Sequence, residues 1–118
     1  MQWGGIMPGE SALVDINHFK QLQFKVAKVL SAERPEGADK LILMKIDVGG
    51  EERQIVAGIG PWYSPDQMVG KTIVVVANLK PATIRGHESR GMLLAAMHGQ
   101  DLALVTLDKD LPPGTSIS

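Results

Sequence analysis

Between the apolar runs Ile73–Ala77 and Met92–Met97 the chain carries its densest group of reactive side chains. In NLKPATIRGHESRGMLLAA, residues 78–96, these are Lys80, Arg85, His87, Ser89 and Arg90, beside the single acid Glu88. A hydroxyl, an imidazole and several cations could serve nucleophilic catalysis, zinc chemistry or the binding of an anion. Spacing removes the first two. A nucleophile elbow needs glycine two residues before the serine, and position 87 is histidine. A zinc-protease helix needs a second histidine four residues after His87, and position 91 is glycine. His18, His87 and His98 form no pair at helical spacing, so no metal site is expected.

VGKT, residues 69–72, has the end of a phosphate-binding P-loop but not its beginning. The pattern requires glycine at position 65, which is proline and lacks the N–H that would face a phosphate. The paired acids at 51–52 and at 108 and 110 lie in turn-like sequence and read as solvated surface. Nothing pairs a nucleophile with its base, and no cofactor is called for. Binding of an anion, or an ordinary solvated turn of the kind that commonly carries Lys and Arg, is what remains.

The elements that must position these cations belong to one small domain. The chain has 118 residues, 44% of them hydrophobic, with no cysteine and a formal charge of −1. A core is feasible, while disulfides and thiolate chemistry are excluded. Net charge gives no general attraction to a polyanion, so nucleic-acid binding would need a local patch. No apolar stretch approaches the roughly 20 residues of a membrane span, and the start lacks signal-peptide character. A soluble chain in a reducing, cytoplasmic setting fits this composition.

Residues 1–14 have no period and read as an arm or linker. Asp15 is placed to cap a short helix over 16–21, with Phe19 as its buried residue. FKVAKVLSAER (24–34) is valine-rich and reads as a strand, followed by turn chemistry in PEGAD (35–39). In LILMKIDV (41–48) Ile42, Met44, Ile46 and Val48 alternate with Lys45 and Asp47, the signature of a half-buried strand. Gly49-Gly50 then leads into a third strand, RQIVAGI (53–59). Ser64 and Pro65 open one helical turn that Gly70 closes. TIVVVAN (72–78) is a further strand, and MLLAAM with LALVTL forms a final hairpin.

Three strands, a short helix and two or three more strands is the order of the OB-fold. The expected class is therefore all-β, a Greek-key barrel with short helices and terminal extensions. The expected domain covers 15–107, with residues 108–118 as a C-terminal extension. Ligands of this barrel meet strands 2 and 3 and the loops 1–2 and 4–5. Here those loops are SAERPEGADK, with Arg34 and Lys40, and the stretch 78–96. Strands 2 and 3 carry no aromatic residue, so base stacking of the single-strand-binding kind has no platform there. Contacts to phosphates and ribose hydroxyls of a folded RNA suit the residues better. Trp62 and Tyr63 either stack on a base or plug the barrel end.

The strings INHFKQLQFKVAKV, ERPEGADKL, IVAGI and NLKPATIRGHESRGMLLAA together resemble the tRNA-binding domain family. That family includes the C-terminal appendix of bacterial methionyl-tRNA synthetases, freestanding structure-specific tRNA-binding proteins and the endothelial monocyte-activating polypeptide domain. The CsaA chaperones are more distant members. The resemblance covers roughly residues 15–118 and implies a barrel that binds tRNA by shape, non-catalytic in itself and homodimeric. Its partners would be tRNA, a second copy and, in the synthetase branch, the catalytic part of that ligase.

Residue by residue, the resemblance places Lys40, Asn78, Lys80, Arg85, Ser89 and Met92 in the tRNA-binding signature, with Arg90 as an additional cation. Lys80 and Arg85 would meet phosphates, whereas Asn78 and Ser89 would bond ribose, phosphate or the loop backbone. Arg34 stands where the family often has histidine and is expected to strengthen phosphate contact. Phe24-Lys25-Val26 replaces a frequent Leu-Arg-Val, which keeps the charge but loses the guanidinium fork. CsaA-like members lack the full RG–ES–GM string, which favours the synthetase or freestanding branch. QWGGIMPGE has the character of a linker trailing from a larger enzyme.

Overall fold

The computed structural model describes residues 12–118, so most of the arm expected at 1–14 lies outside the described residues. Strands dominate. Helix α1 spans Ile16–Lys20, β1 Phe24–Glu33, β2 Ile42–Asp47, β3 Glu52–Ala57, α2 Pro65–Met68 and β4 Thr72–Val76. Then follow β5 Ala82–Ile84, β6 His87–Ser89, β7 Met92–Leu93, β8 Ala95–His98, β9 Asp101–Leu104 and β10 Ser116–Ile117. The main sheet runs β3-β2-β1-β4-β7, all neighbours antiparallel.

The gap between β7 and β3 is bridged without a regular ladder. The Arg90 N–H donates to the Gln54 carbonyl at 2.9 Å, and the Val56 N–H donates to Ser89 Oγ at 3.0 Å. The sheet thus curls into a nearly closed barrel, the all-β class that the strand order predicts. Ile42, Met44, Ile46, Ile55, Ile73, Val75 and Leu93 point inward and are essentially inaccessible. The alternation in β2 places Lys45 outward, as read from the sequence. Leu30 is the surplus residue where the β1–β2 register shifts between Val29 and Ser31, and it stays 46% exposed.

Helix α2 is built as its sequence dictates. Ser64 Oγ accepts from the Gln67 N–H while Gln67 Oε1 accepts from the Ser64 N–H, a complete capping box with Pro65 in the first turn. The helix exists to deliver Met68, fully buried, into the barrel end, a burial that contributes roughly 1.5–3 kcal/mol. Helix α1 is capped by Asp15 as expected, but it buries nothing. Phe19 is 44% exposed and lies beside the Phe24 ring, at 5.7 Å between centroids. Such a short helix lies outside the barrel, and among the described residues no second apolar layer covers it.

Two arrangements depart from a simple reading of the strands. MLLAAM is split: β7 belongs to the main sheet, and after Leu94 the chain leaves it to form the β8–β9 hairpin. The C-terminal extension is also part of the sheet. β2 pairs with β1 only from Lys28 onward, and β10 takes the edge of β1 left free at Phe24 and Lys25. Gly49 and Gly114 meet at that junction, where a Cβ on either would come within 2.8 Å of the other's Cα.

Candidate nucleic-acid interface

The stretch 78–96 is not an open loop. β5 and β6 form a small hairpin, Ala82↔Ser89 to Ile84↔His87, that lies along β3. Its two-residue turn is Arg85-Gly86, with φ of 52° and 86°. Positive φ at both positions is the turn whose twist matches the flanking strands. Glycine takes this geometry freely, whereas arginine is strained there. The turn holds the Arg85 side chain at the hairpin tip, where Nη2 donates to the Gly37 carbonyl at 3.2 Å. Gly37 lies in the β1–β2 loop, so the two cationic loops are joined at one end of the barrel.

Lys40, Lys80, Arg85 and Arg90 are all exposed. Among the described residues Lys40, Lys80 and Arg85 form no ion pair, and Arg90 lies 3.7 Å from Glu51, which also holds Arg53 at 3.2 Å. Arg53 is a participant that the sequence reading did not single out. It sits on β3, 19% exposed at the side chain, and donates through Nη1 to the Ala77 carbonyl at the start of the hairpin segment. A lone arginine in a strand carries no signal of such a role.

The other signature residues build the scaffold. Ser89 is 2% exposed; its hydroxyl accepts from the Val56 N–H and donates to the Gly91 carbonyl at 2.9 Å. Met92 is 5% exposed and belongs to the core. Asn78 donates to the Gln21 carbonyl at 2.6 Å and accepts from the Gln23 N–H at 2.8 Å. Of the options read from the sequence, Asn78 and Ser89 bond backbone. Arg34 also bonds backbone. Its Nη1 donates to the carbonyls of Asp39 (2.8 Å) and Gly60 (3.0 Å), and its Nη2 lies 3.5 Å from that of Tyr63.

Trp62 Nε1 donates to the Gln100 carbonyl at 2.7 Å, and Tyr63 Oη accepts from the Leu104 N–H at 3.4 Å. Both aromatics therefore fasten the β8–β9 hairpin to the barrel, and Tyr63 packs against the core. No group of three metal-ligating side chains occurs among the described residues. No helix among them is long and apolar enough to cross a membrane.

A small all-β barrel whose two cationic loops are linked at one end is the class defined by this geometry. The family profile described as "Putative tRNA binding domain" matches residues 24–116, and the chain belongs to that family. It is 51% identical over 105 residues to a methionine–tRNA ligase of Caldanaerobacter subterraneus subsp. tengcongensis, covering 89% of this chain and 16% of that ligase. A methionine–tRNA ligase of Thermotoga maritima is 50% identical over 109 residues, covering 92% of this chain and 17% of the ligase. The chain thus spans about a sixth of the curated relatives it matches, in their C-terminal tRNA-binding region and outside their catalytic part.

Among solved structures, a methionyl-tRNA-synthetase-related protein of Pyrococcus horikoshii superposes with a TM-score of 0.86 at 36% identity, over 92% of this chain and all of that one. The chaperone CsaA of Bacillus anthracis gives 0.82 at 29% identity, over 91% of this chain and all of its own.

Proposed function

We propose that this chain is a non-catalytic tRNA-binding and dimerisation module, the C-terminal appendix of a methionyl-tRNA synthetase acting in the cytoplasm. The barrel reads as an OB-fold whose ligand edge is formed by the β1–β2 loop and the β5–β6 hairpin. Residues 15–107 form the module, 1–14 link it to a preceding part, and 108–118 with α1 serve the contact between copies. The observation that carries the reading is the Arg85–Gly37 bond, which sets two loops bearing unpaired cations side by side.

Lys40, Lys80 and Arg85 contact phosphates, with Arg90 at the far end of the same rib. Strands β2 and β3 offer no aromatic side chain to a base, so recognition rests on backbone and shape. Neutralising about 3–5 phosphates gives a log–log salt slope of roughly −2 to −4.

Gel-shift titration of unfractionated tRNA at two salt concentrations tests this reading. Steep salt dependence whose slope becomes shallower by about two in a Lys80→Ala/Arg85→Ala double variant supports it, and salt-insensitive or unchanged binding overturns it. The likeness to CsaA supplies the second reading, a chaperone. Capture of an unfolded polypeptide that added tRNA does not displace would favour that one.

A further inference from the structure

We infer that Arg34 is the positioning residue of the interface, a clamp that fixes the β1–β2 loop for Lys40 and Arg85, and not itself a phosphate ligand. The inference rests on the tRNA-binding reading and names a residue that this reading would otherwise place among the contacts.

Arg34 is the first residue after β1. Three carbonyls converge on its terminal nitrogens, from Asp39 within its own loop and from Gly60 and Tyr63 in the segment after β3. The Gly60 N–H returns a bond to the Lys40 carbonyl at 3.0 Å. The peptide planes on both sides of Lys40 are therefore held, one through Arg34 and one through Gly60. Inside the same loop the Ala38 N–H donates to the Pro35 carbonyl and the Leu41 N–H to that of Ala38, at 3.1 and 3.0 Å. This ordered turn presents the Gly37 carbonyl that receives Arg85.

Gly60 is fitted to the clamp. A Cβ there would stand 2.4 Å from the Asp39 oxygen and 2.9 Å from Arg34 Nη1. Contact this close leaves no room for a side chain between the two segments. A planar guanidinium can serve three carbonyls from different directions, which a lysine ammonium at the end of a flexible stem does not reproduce. Both Nη1 protons are turned to backbone oxygens and Nη2 faces a third, so the guanidinium is held in the loop, and its exposed Nε edge makes the salt slope the measure that separates clamp from phosphate contact. Without Arg34, the loop would have to be ordered at the moment of binding, and apparent affinity falls by the fraction of molecules already ordered.

The test separates a clamp from a contact. Binding of unfractionated tRNA is titrated from about 50 to 200 mM salt, where the slope counts phosphate contacts, for wild type, Arg34→Gln, Arg34→Lys and Lys40→Ala. The clamp predicts roughly tenfold weaker binding for both Arg34 variants with the salt slope of wild type. Lys40→Ala, as a true contact, lowers the slope by about one. Hydrogen exchange at the Gly60 amide accelerates in both Arg34 variants and not in Lys40→Ala. A slope reduced by about one in Arg34→Gln, or wild-type affinity in Arg34→Lys, overturns the clamp. If wild-type protein shows no salt-dependent tRNA binding, the functional reading fails, and exchange at Gly60 alone decides whether Arg34 orders the loop.

Discussion

Asn78 grips the backbone on both sides of Leu22: its amide nitrogen donates to the Gln21 carbonyl and its amide oxygen accepts from the Gln23 N–H. One side chain at the end of β4 thereby fastens the connection between α1 and β1 to the barrel. Helix α1 has no buried residue of its own, so this clasp is a principal restraint on its direction. Asn78→Asp keeps the acceptor but sets a carboxylate against a carbonyl, and Asn78→Ala loses both bonds. Both are expected to lower stability by about 1–2 kcal/mol, with faster proteolysis ahead of Phe24 as the local readout. Cleavage at the wild-type rate would show that α1 is held by something else.

Arg85 combines a strained backbone with an exposed charge, and one substitution separates them. Asparagine tolerates the left-handed region, so Arg85→Asn keeps the two-residue turn. Its unfolding free energy should stay within about 1 kcal/mol of wild type, since αL strain of roughly that size is relieved. Its tRNA binding should weaken with a salt slope about one unit shallower. Chemical denaturation and salt titration of the same preparation measure both halves.

Ser89 predicts the opposite pattern. Its hydroxyl satisfies the Val56 N–H and the Gly91 carbonyl inside the barrel wall. Ser89→Ala leaves both without that partner at a cost of about 1–3 kcal/mol. Gly91→Ala is worse placed still, with φ at 121° and its new Cβ 2.9 Å from the Val76 oxygen. Urea midpoints should fall for both, while the salt slope of the protein that remains folded is unchanged.

The sequence was most legible where local chemistry and tertiary structure agree. The alternation in β2, the helix opening at Ser64-Pro65 and the all-β class follow from patterns of a few residues. What escaped reading depended on partners far along the chain. The β5–β6 hairpin was hidden because its turn is Arg-Gly where Asn-Gly would be the strong signal. The backbone bonds of Arg34 could not be read, because nothing local shows Gly60 and Tyr63 converging on it. Ser89 sits between two charged residues, Glu88 and Arg90, yet is buried, since the rib that carries it turns that one side chain into the wall. The two-residue strand β10 is defined by the edge that β2 leaves open, not by any propensity of Ser-Ile.

The exposed apolar side chains around α1 lead to the last prediction. Leu13, Val14, Ile16, Phe19 and Leu22, all on or beside α1, are 97%, 74%, 60%, 44% and 42% exposed. Single exposed apolar residues are ordinary, but a contiguous row marks an association surface. Association through this row would give α1 an apolar layer that the described residues of one copy do not supply. Light scattering should then report twice the 12.7 kDa chain mass. Ile16→Glu/Phe19→Glu places charges in the row without touching the barrel core and should return the mass to that of one chain, with the thermal transition of the barrel retained. Because each copy carries one set of loop cations, the monomer should also bind tRNA more weakly, by the loss of a second simultaneous contact. A wild-type mass of 12.7 kDa at micromolar concentration would refute the dimer, and a dimer that survives both charges would move its interface away from α1.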